Sequence, residues 1–341
     1  TARVVQAALA ERLNAHGRPV PLIAETGGQN CMVVDSSALL EQVVTDAMAS
    51  AFEAAGQRCS ALRVLCVQDD VADRLVEMLK GAMAEIHMGA PAQLAVDMGP
   101  VIDERAQASI EAHVSAMQQL GCKVHRISDN RPDTLPAGTY VQPTLIEIDH
   151  IAQLEREVFG PVLHIVRYAR KDMRQLLRSI NQTGYALTLG VHSRIEENIA
   201  QVIDLTNAGN IYVNRNMVGA VVGVQPFGGD GLSGTGPKAG GPLYLLRLLA
   251  NCPPDAAKRS VQACGAAVLP HPTPALQVLH GWAVAQNRLQ LANVCAEFAA
   301  THPAGLQATL NGPTGERNVY RVQARARVLC ITGEYPGADA D

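Results

Sequence analysis

Aromatic residues are scarce: the chain has one Trp, four Phe and seven Tyr in 341 residues. It also lacks any apolar run near the roughly 18 to 20 residues a membrane span requires. Lys and Arg total 28 against 32 Asp and Glu, giving a net charge of -4. That balance offers no basic footprint for nucleic acid, because phosphate binding needs clustered cations. None of the eight cysteines forms a CxxC pair, which argues against zinc ribbons and thioredoxin-like sites, and no metal site is expected. Scattered thiols in a chain of this length fit a reducing cytoplasm better than a disulfide scaffold. The beginning, TARVVQAALAERL, is neither a signal peptide nor an ordinary start and reads as the middle of a longer chain.

What is present suits a folded α/β protein. Hydrophobic residues make up 48% and charged ones 18%, enough for a sizeable core. Apolar spacing predicts helices over about 2–14, 39–52, 70–87, 103–120, 171–181, 195–207 and 276–300. Short apolar runs predict strands at 21–25, 31–34, 61–67, 122–127, 140–148, 161–168, 186–192, 209–214 and 326–332. Alternation of the two argues for a sheet with crossover helices. Nine glycines fall between Gly219 and Gly241, a density that in a compact domain usually serves function. Proline-rich connectors follow Leu249.

Three short segments carry candidate chemistry. AETGG (24–28) places Glu25 beside a glycine turn, FEAAGQRCS (52–60) presents Cys59 just past a helix end, and EVFGPV (157–162) sets Glu157 and Phe159 before a strand. Each has an ordinary reading alone: a solvated loop charge, a packing cysteine, a strand entry with a turn.

Together, in this order and with 34 residues between Glu25 and Cys59, they resemble the aldehyde dehydrogenase superfamily, as does PFGG (226–229) further on. The resemblance spans about residues 1–245. It implies that Cys59 attacks the aldehyde, a role that suits a thiolate because it adds readily to a carbonyl and leaves a hydrolysable thioester. The Cys59 N–H would be one oxyanion donor, and Glu25 the base that activates water. NAD is the implied cofactor, with Glu157 on the nicotinamide ribose, Phe159 beside the ring, and Thr26 and Gly27 on the cofactor side. The pyrophosphate turn, the adenine-ribose lysine and the oxyanion asparagine of the family match no position here.

The stretch 226–249 is similar to L-glutamate-γ-semialdehyde (Δ1-pyrroline-5-carboxylate) dehydrogenases, which implies that Ser60, Gly231, Leu232 and Ser233 grip the α-carboxylate and α-amino group of that substrate. A purely structural glycine connection with Ser233 in a turn is the competing reading. GPTGERNVYR (312–321) and RVLC (327–330) resemble the bifunctional proline utilization A group, in which FAD sits on a separate upstream domain. The expected organisation is a remnant of a Rossmann-type NAD-binding domain over 1–56, a catalytic domain over 57–249 and part of a C-terminal α/β domain over 250–341. The resemblance further implies a homo-oligomeric full-length parent, cytoplasmic or peripherally associated with a membrane. Two other functions remain open: a dehydrogenase of another small aldehyde, and an inert fragment with an assembly or lid role.

Overall fold

The computed structural model describes residues 2–126, 135–268 and 274–324. These described residues fall into two compact units, one drawn from 2–221 with 226–240 and one from 222–225 with 241–324.

In the first unit the chain runs through α1 (Ala2–Ala10), β1 (Cys31–Val34), α2 (Leu40–Phe52), β2 (Val64–Gln68), α3 (Asp69–Ala84), α4 (Glu104–Gln119), β3 (Lys123–Arg126), β4 (Thr144–Ile148), β5 (Val162–Tyr168), α5 (Met173–Gln182), β6 (Tyr185–Ala186), β7 (Thr188–His192), α6 (Glu196–Leu205), β8 (Asn210–Val213) and β9 (Asp230–Gly231). Seven strands make one sheet in the order β3-β4-β5-β2-β1-β7-β8, and only β3 runs antiparallel to its neighbour. The sequence explains which strands lie in the middle. CMVV and VLCVQ have every residue buried, as strands covered on both faces require. Helix α5 sends Met173, Leu176, Leu177 and Ile180, an i, i+3, i+4, i+7 stripe, into the same core.

Two expectations are corrected here. Residues 21–25 make no strand, only an isolated bridge between Glu25 and Gly234. The boundary expected at residue 56 falls inside the first unit, because β1 is hydrogen-bonded between β2 and β7 in mid-sheet. The four residues of β1 therefore belong to the same sheet as β2 and β7, and a short run of that kind carries no mark of the sheet it joins.

The second unit holds α7 (Ala256–Gln262), β10 (Gly265–Val268), α8 (Pro274–Ala285), α9 (Leu289–Thr301), β11 (Gln307–Leu310) and β12 (Asn318–Arg321). Its antiparallel sheet, β10-β11-β12, packs a small core of Val261, Leu306, Ala308 and Tyr320. The helix expected over 276–300 is two helices, interrupted where Asn287 turns left-handed at φ 55°. The strand expected at 326–332 lies outside the described residues. Among the described residues no helix is long and apolar enough to cross a membrane.

Leu65, on β2 and 0% exposed, tests the central strand. Leu65→Ala should cost roughly 2–5 kcal/mol, read as a lower urea midpoint; an unchanged midpoint would contradict its place in the core.

Candidate active site

The candidate residues gather at one edge of the sheet. Asn30 precedes β1, Cys59 lies before β2, Glu157 and Phe159 come just before β5, and Leu187 enters β7. All sit at the amino ends of parallel strands, opposite to the carboxyl ends where open nucleotide-binding sheets hold their ligands.

The Cys59 loop begins where α2 runs out into a 3-10 turn, Glu53–Gly56. Ala54, Ala55 and Gly56 all have left-handed φ, near 53°, 53° and 65°. For alanine that conformation costs on the order of 1 kcal/mol each and persists only where the surroundings impose it. Close approach imposes it here: a Cβ on Gly56 would fall 2.2 Å from the Gly160 carbonyl oxygen. The turn that presents Cys59 is thus pressed against the backbone that follows Glu157 and Phe159.

Arg63 fastens the two segments. It is fully buried and donates from Nη1 to the carbonyls of Gly56 (2.7 Å) and Gly160 (3.2 Å). Its Nη2 donates to the Arg58 carbonyl (3.1 Å) and to Glu157 Oε1 (3.0 Å), and its guanidinium carbon lies 5.2 Å from the Phe159 ring centroid. Asn30 holds the other side of the loop. Its Nδ2 donates to the carbonyls of Cys59 (2.7 Å) and Ala61 (2.9 Å), while its Oδ1 accepts from Thr188 N–H (3.2 Å). Gln57 completes the frame by accepting from Ile102 N–H at 2.9 Å.

Within this frame Cys59 is exposed. Partial desolvation pushes its thiol above the ordinary range, the Glu157 and Glu25 carboxylates push the same way, and the amide N–H groups of Ser60 and Cys59 pull it back. The resting group is therefore a thiol whose anion is favoured by two amides and opposed by two carboxylates. Glu25 accepts from Gly229 N–H at 3.2 Å. A Cβ on either Gly228 or Gly234 would come within 2.9 Å of its Oε1, so only glycines leave the carboxylate its place. Burial raises the Glu25 pKa, against the Gly229 N–H and the Lys238 ammonium. Glu157 is likewise raised by burial, opposed by Arg63 and the Gly28 N–H.

Residues 3–250 match the aldehyde dehydrogenase family model. The chain belongs to the aldehyde dehydrogenase family. Among curated relatives, the bifunctional protein PutA of Escherichia coli K12 is 56% identical over 345 residues, which cover 98% of this chain and 26% of that protein. The 1-pyrroline-5-carboxylate dehydrogenase of Geobacillus kaustophilus is 37% identical over 227 residues, 66% of this chain and 43% of that protein. A crystal structure of bifunctional proline utilization A superposes with TM-score 0.67 at 53% identity, covering 72% of this chain and 24% of the other. A 1-pyrroline-5-carboxylate dehydrogenase from Thermus with bound NAD gives TM-score 0.64 at 29% identity, covering 72% and 47% of the two chains. The chain thus spans about a quarter of the PutA relatives' length.

In this aldehyde dehydrogenase chain Cys59, Glu25, Glu157 and Phe159 converge on one site, with Gly27 beside Glu157: a Cβ on Gly27 would lie 2.0 Å from Glu157 Oε2. Thr26 is engaged differently, donating N–H to the Ser233 carbonyl (3.0 Å) and Oγ1 to the Leu232 carbonyl (2.6 Å). It ties the Glu25 turn to the glycine-rich segment.

The expected anchor is placed as follows. Ser60 is buried, with its carbonyl accepting from Thr188 Oγ1 at 3.3 Å. Gly231 and Leu232 are exposed on the β6–β9 edge, and Leu232 N–H is committed to the Gly184 carbonyl at 2.8 Å. Ser233 is fully buried, and its Oγ accepts from Ala186 N–H at 3.0 Å. That bond ties the Ser233 Oγ to the strand edge as an acceptor.

Sequence reasoning passed over Arg63, Asn30 and Lys238. A buried arginine inside ALRVLCV and an asparagine between a glycine turn and a strand were visible oddities, since an unpaired charge has no place in a buried strand. Because two carboxylates oppose the thiolate, Glu25→Gln should lower the Cys59 pKa and speed its alkylation by iodoacetamide at pH 8 by a few-fold. An unchanged rate across pH 7–10 would show that Glu25 does not act on the sulfur.

Proposed function

We propose that Cys59 and Glu25 are the nucleophile and general base of an NAD-dependent oxidation of L-glutamate γ-semialdehyde to L-glutamate, a step of proline catabolism. The observation that carries this reading is an exposed thiol, set by a strained turn between two carboxylates and backed by two amide N–H groups.

The site suits a nicotinamide nucleotide. Glycine at 27 leaves room for the Glu157 carboxylate, which can accept ribose hydroxyls, and Phe159, 43% exposed, offers an apolar ring beside it. Arg63 keeps Glu157 ionised and aimed. When bound, NAD+ supplies the acceptor for the hydride that converts a Cys59 thiohemiacetal to an acyl thioester.

The chain's own residues do the remaining work. Cys59 gives up its thiol proton to Glu25, whose raised pKa makes it a better base than an ordinary carboxylate. The sulfur adds to the aldehyde carbon, and the Cys59 N–H stabilises the alkoxide that forms. After acylation Glu25 releases the thiol proton to solvent and then takes one from water. The hydroxide adds to the thioester carbon, the C–S bond breaks, Glu25 returns its proton to the Cys59 sulfur, and the product leaves as the carboxylate with its own proton lost to solvent.

A second reading, oxidation of another small aldehyde, is favoured by one observation: the Leu232 and Ser233 N–H groups are committed to the Gly184 and Asp230 carbonyls. Substrate choice would then rest on the exposed Gly231–Leu232 edge and on shape. Two measurements on the full-length polypeptide bearing this sequence separate the readings. Cys59→Ala should abolish NADH formation, and kcat/KM for glutamate semialdehyde should exceed that for propanal by on the order of 100-fold. Persisting turnover in the variant would remove Cys59 as nucleophile, and equal kcat/KM values would favour the second reading. If Ser233 grips the substrate carboxylate, Ser233→Ala should reduce activity on glutamate semialdehyde far more than on propanal; equal losses would leave it a loop-holding residue only.

A further inference from the structure

The glycine-rich segment carries one ionisable side chain directed inward that the mechanism above does not use. Phe227 and Ala239 clamp the two ends of the segment by reciprocal backbone bonds, Phe227 N–H to the Ala239 carbonyl at 3.0 Å and Ala239 N–H to the Phe227 carbonyl at 2.8 Å. Between them the Lys238 Nζ donates to the Gly209 carbonyl and, at 3.3 Å, to Asn210 Oδ1. The same Asn210 Oδ1 accepts from Gly228 N–H at 3.2 Å, and Asn210 Nδ2 donates to the Pro226 carbonyl at 2.8 Å. Gly228 is the point of contact between base and lysine. A Cβ there would lie 2.9 Å from Glu25 Oε1 and 3.1 Å from Lys238 Cα.

We propose that Lys238 is the positioning residue of the general base: its ammonium, moored on Gly209 and Asn210, holds the Glu25 carboxylate ionised against the glycine loop and keeps it ready to take a proton from water. Lys238 and Cys59 are the ionisable groups that face Glu25, the first from the glycine-rich segment and the second from the loop before β2. The Cys59 thiol is neutral below its raised pKa, so over the acid and neutral range Lys238 supplies the charge that Glu25 feels. Desolvation lowers the Lys238 pKa to about 8, with Glu25 opposing that fall, so the cation is in place over the acid and neutral range. Asn210 carries no charge and serves as the mooring.

This inference rests on Glu25 being the general base, and the test separates the two. In the full-length polypeptide, p-nitrophenyl acetate would acylate Cys59, and steady-state release of p-nitrophenol then reads deacylation with no NAD present. Loss of the cation raises the Glu25 pKa, so the acid limb of the deacylation profile should move up by about one pH unit in Lys238→Met. Along the acid limb the rate then falls by up to about ten-fold while the plateau at higher pH is kept. Lys238→Arg, which retains the charge, should return the limb toward its original position. An unmoved limb in Lys238→Met, with Glu25→Gln abolishing deacylation, would overturn the role of Lys238 alone. Full deacylation in Glu25→Gln would overturn the general base itself. A Lys238→Met profile lowered equally at every pH would show a purely structural lysine, and that too would overturn the proposal.

Discussion

The Arg63 guanidinium decides the geometry of the site. A fully buried cation costs several kcal/mol of lost hydration unless its donors are met. Here Nη1 and Nη2 are met by the Gly56 and Arg58 carbonyls on the Cys59 turn and by the Gly160 carbonyl and Glu157 carboxylate on the segment before β5, while Nε has no hydrogen-bond partner. The strain of three successive left-handed residues before Cys59 is affordable because these contacts over-determine the turn. Sheet order supplies the rest: β5, β2 and β1 are neighbours, so segments ending at residues 30, 63 and 161, distant in the chain, open at one edge.

Two carboxylates flank one sulfur, and their surroundings set them apart. Glu157 is paired with a permanent cation and fixed in place, as suits a group that binds. Glu25 sits among glycines, raised by burial and near a lysine whose own charge is titratable, as suits a group that must gain and lose a proton. The thiol between them rests protonated, so in the proposed mechanism nucleophilicity is called up by proton transfer rather than stored in a standing thiolate. That differs from the ready thiolate a sequence motif suggests, and it follows from like charges on both sides.

Much of this was legible in the residues. The burial of CMVV and VLCVQ followed from their unbroken apolar character, and the loop position of Cys59 from a helix that stops at Gly56. The roles of Arg63 and Asn30 were not legible, because their partners are backbone carbonyls, which no side-chain pattern announces. The contact between Ser233 and β6 was not legible for a related reason: its partner is the Ala186 backbone N–H, which no side-chain pattern announces. The domain boundary at 56 failed because position along the chain says little about which strands pair.

The central claim is that one sulfur carries the acyl group and one carboxylate releases it. Acid quench of the full-length Glu25→Gln variant after mixing with aldehyde and NAD+, followed by peptide mapping, reads this directly. The account predicts an acyl adduct confined to Cys59 that accumulates to near one per chain. An adduct on another cysteine, or none while product still forms, would contradict it.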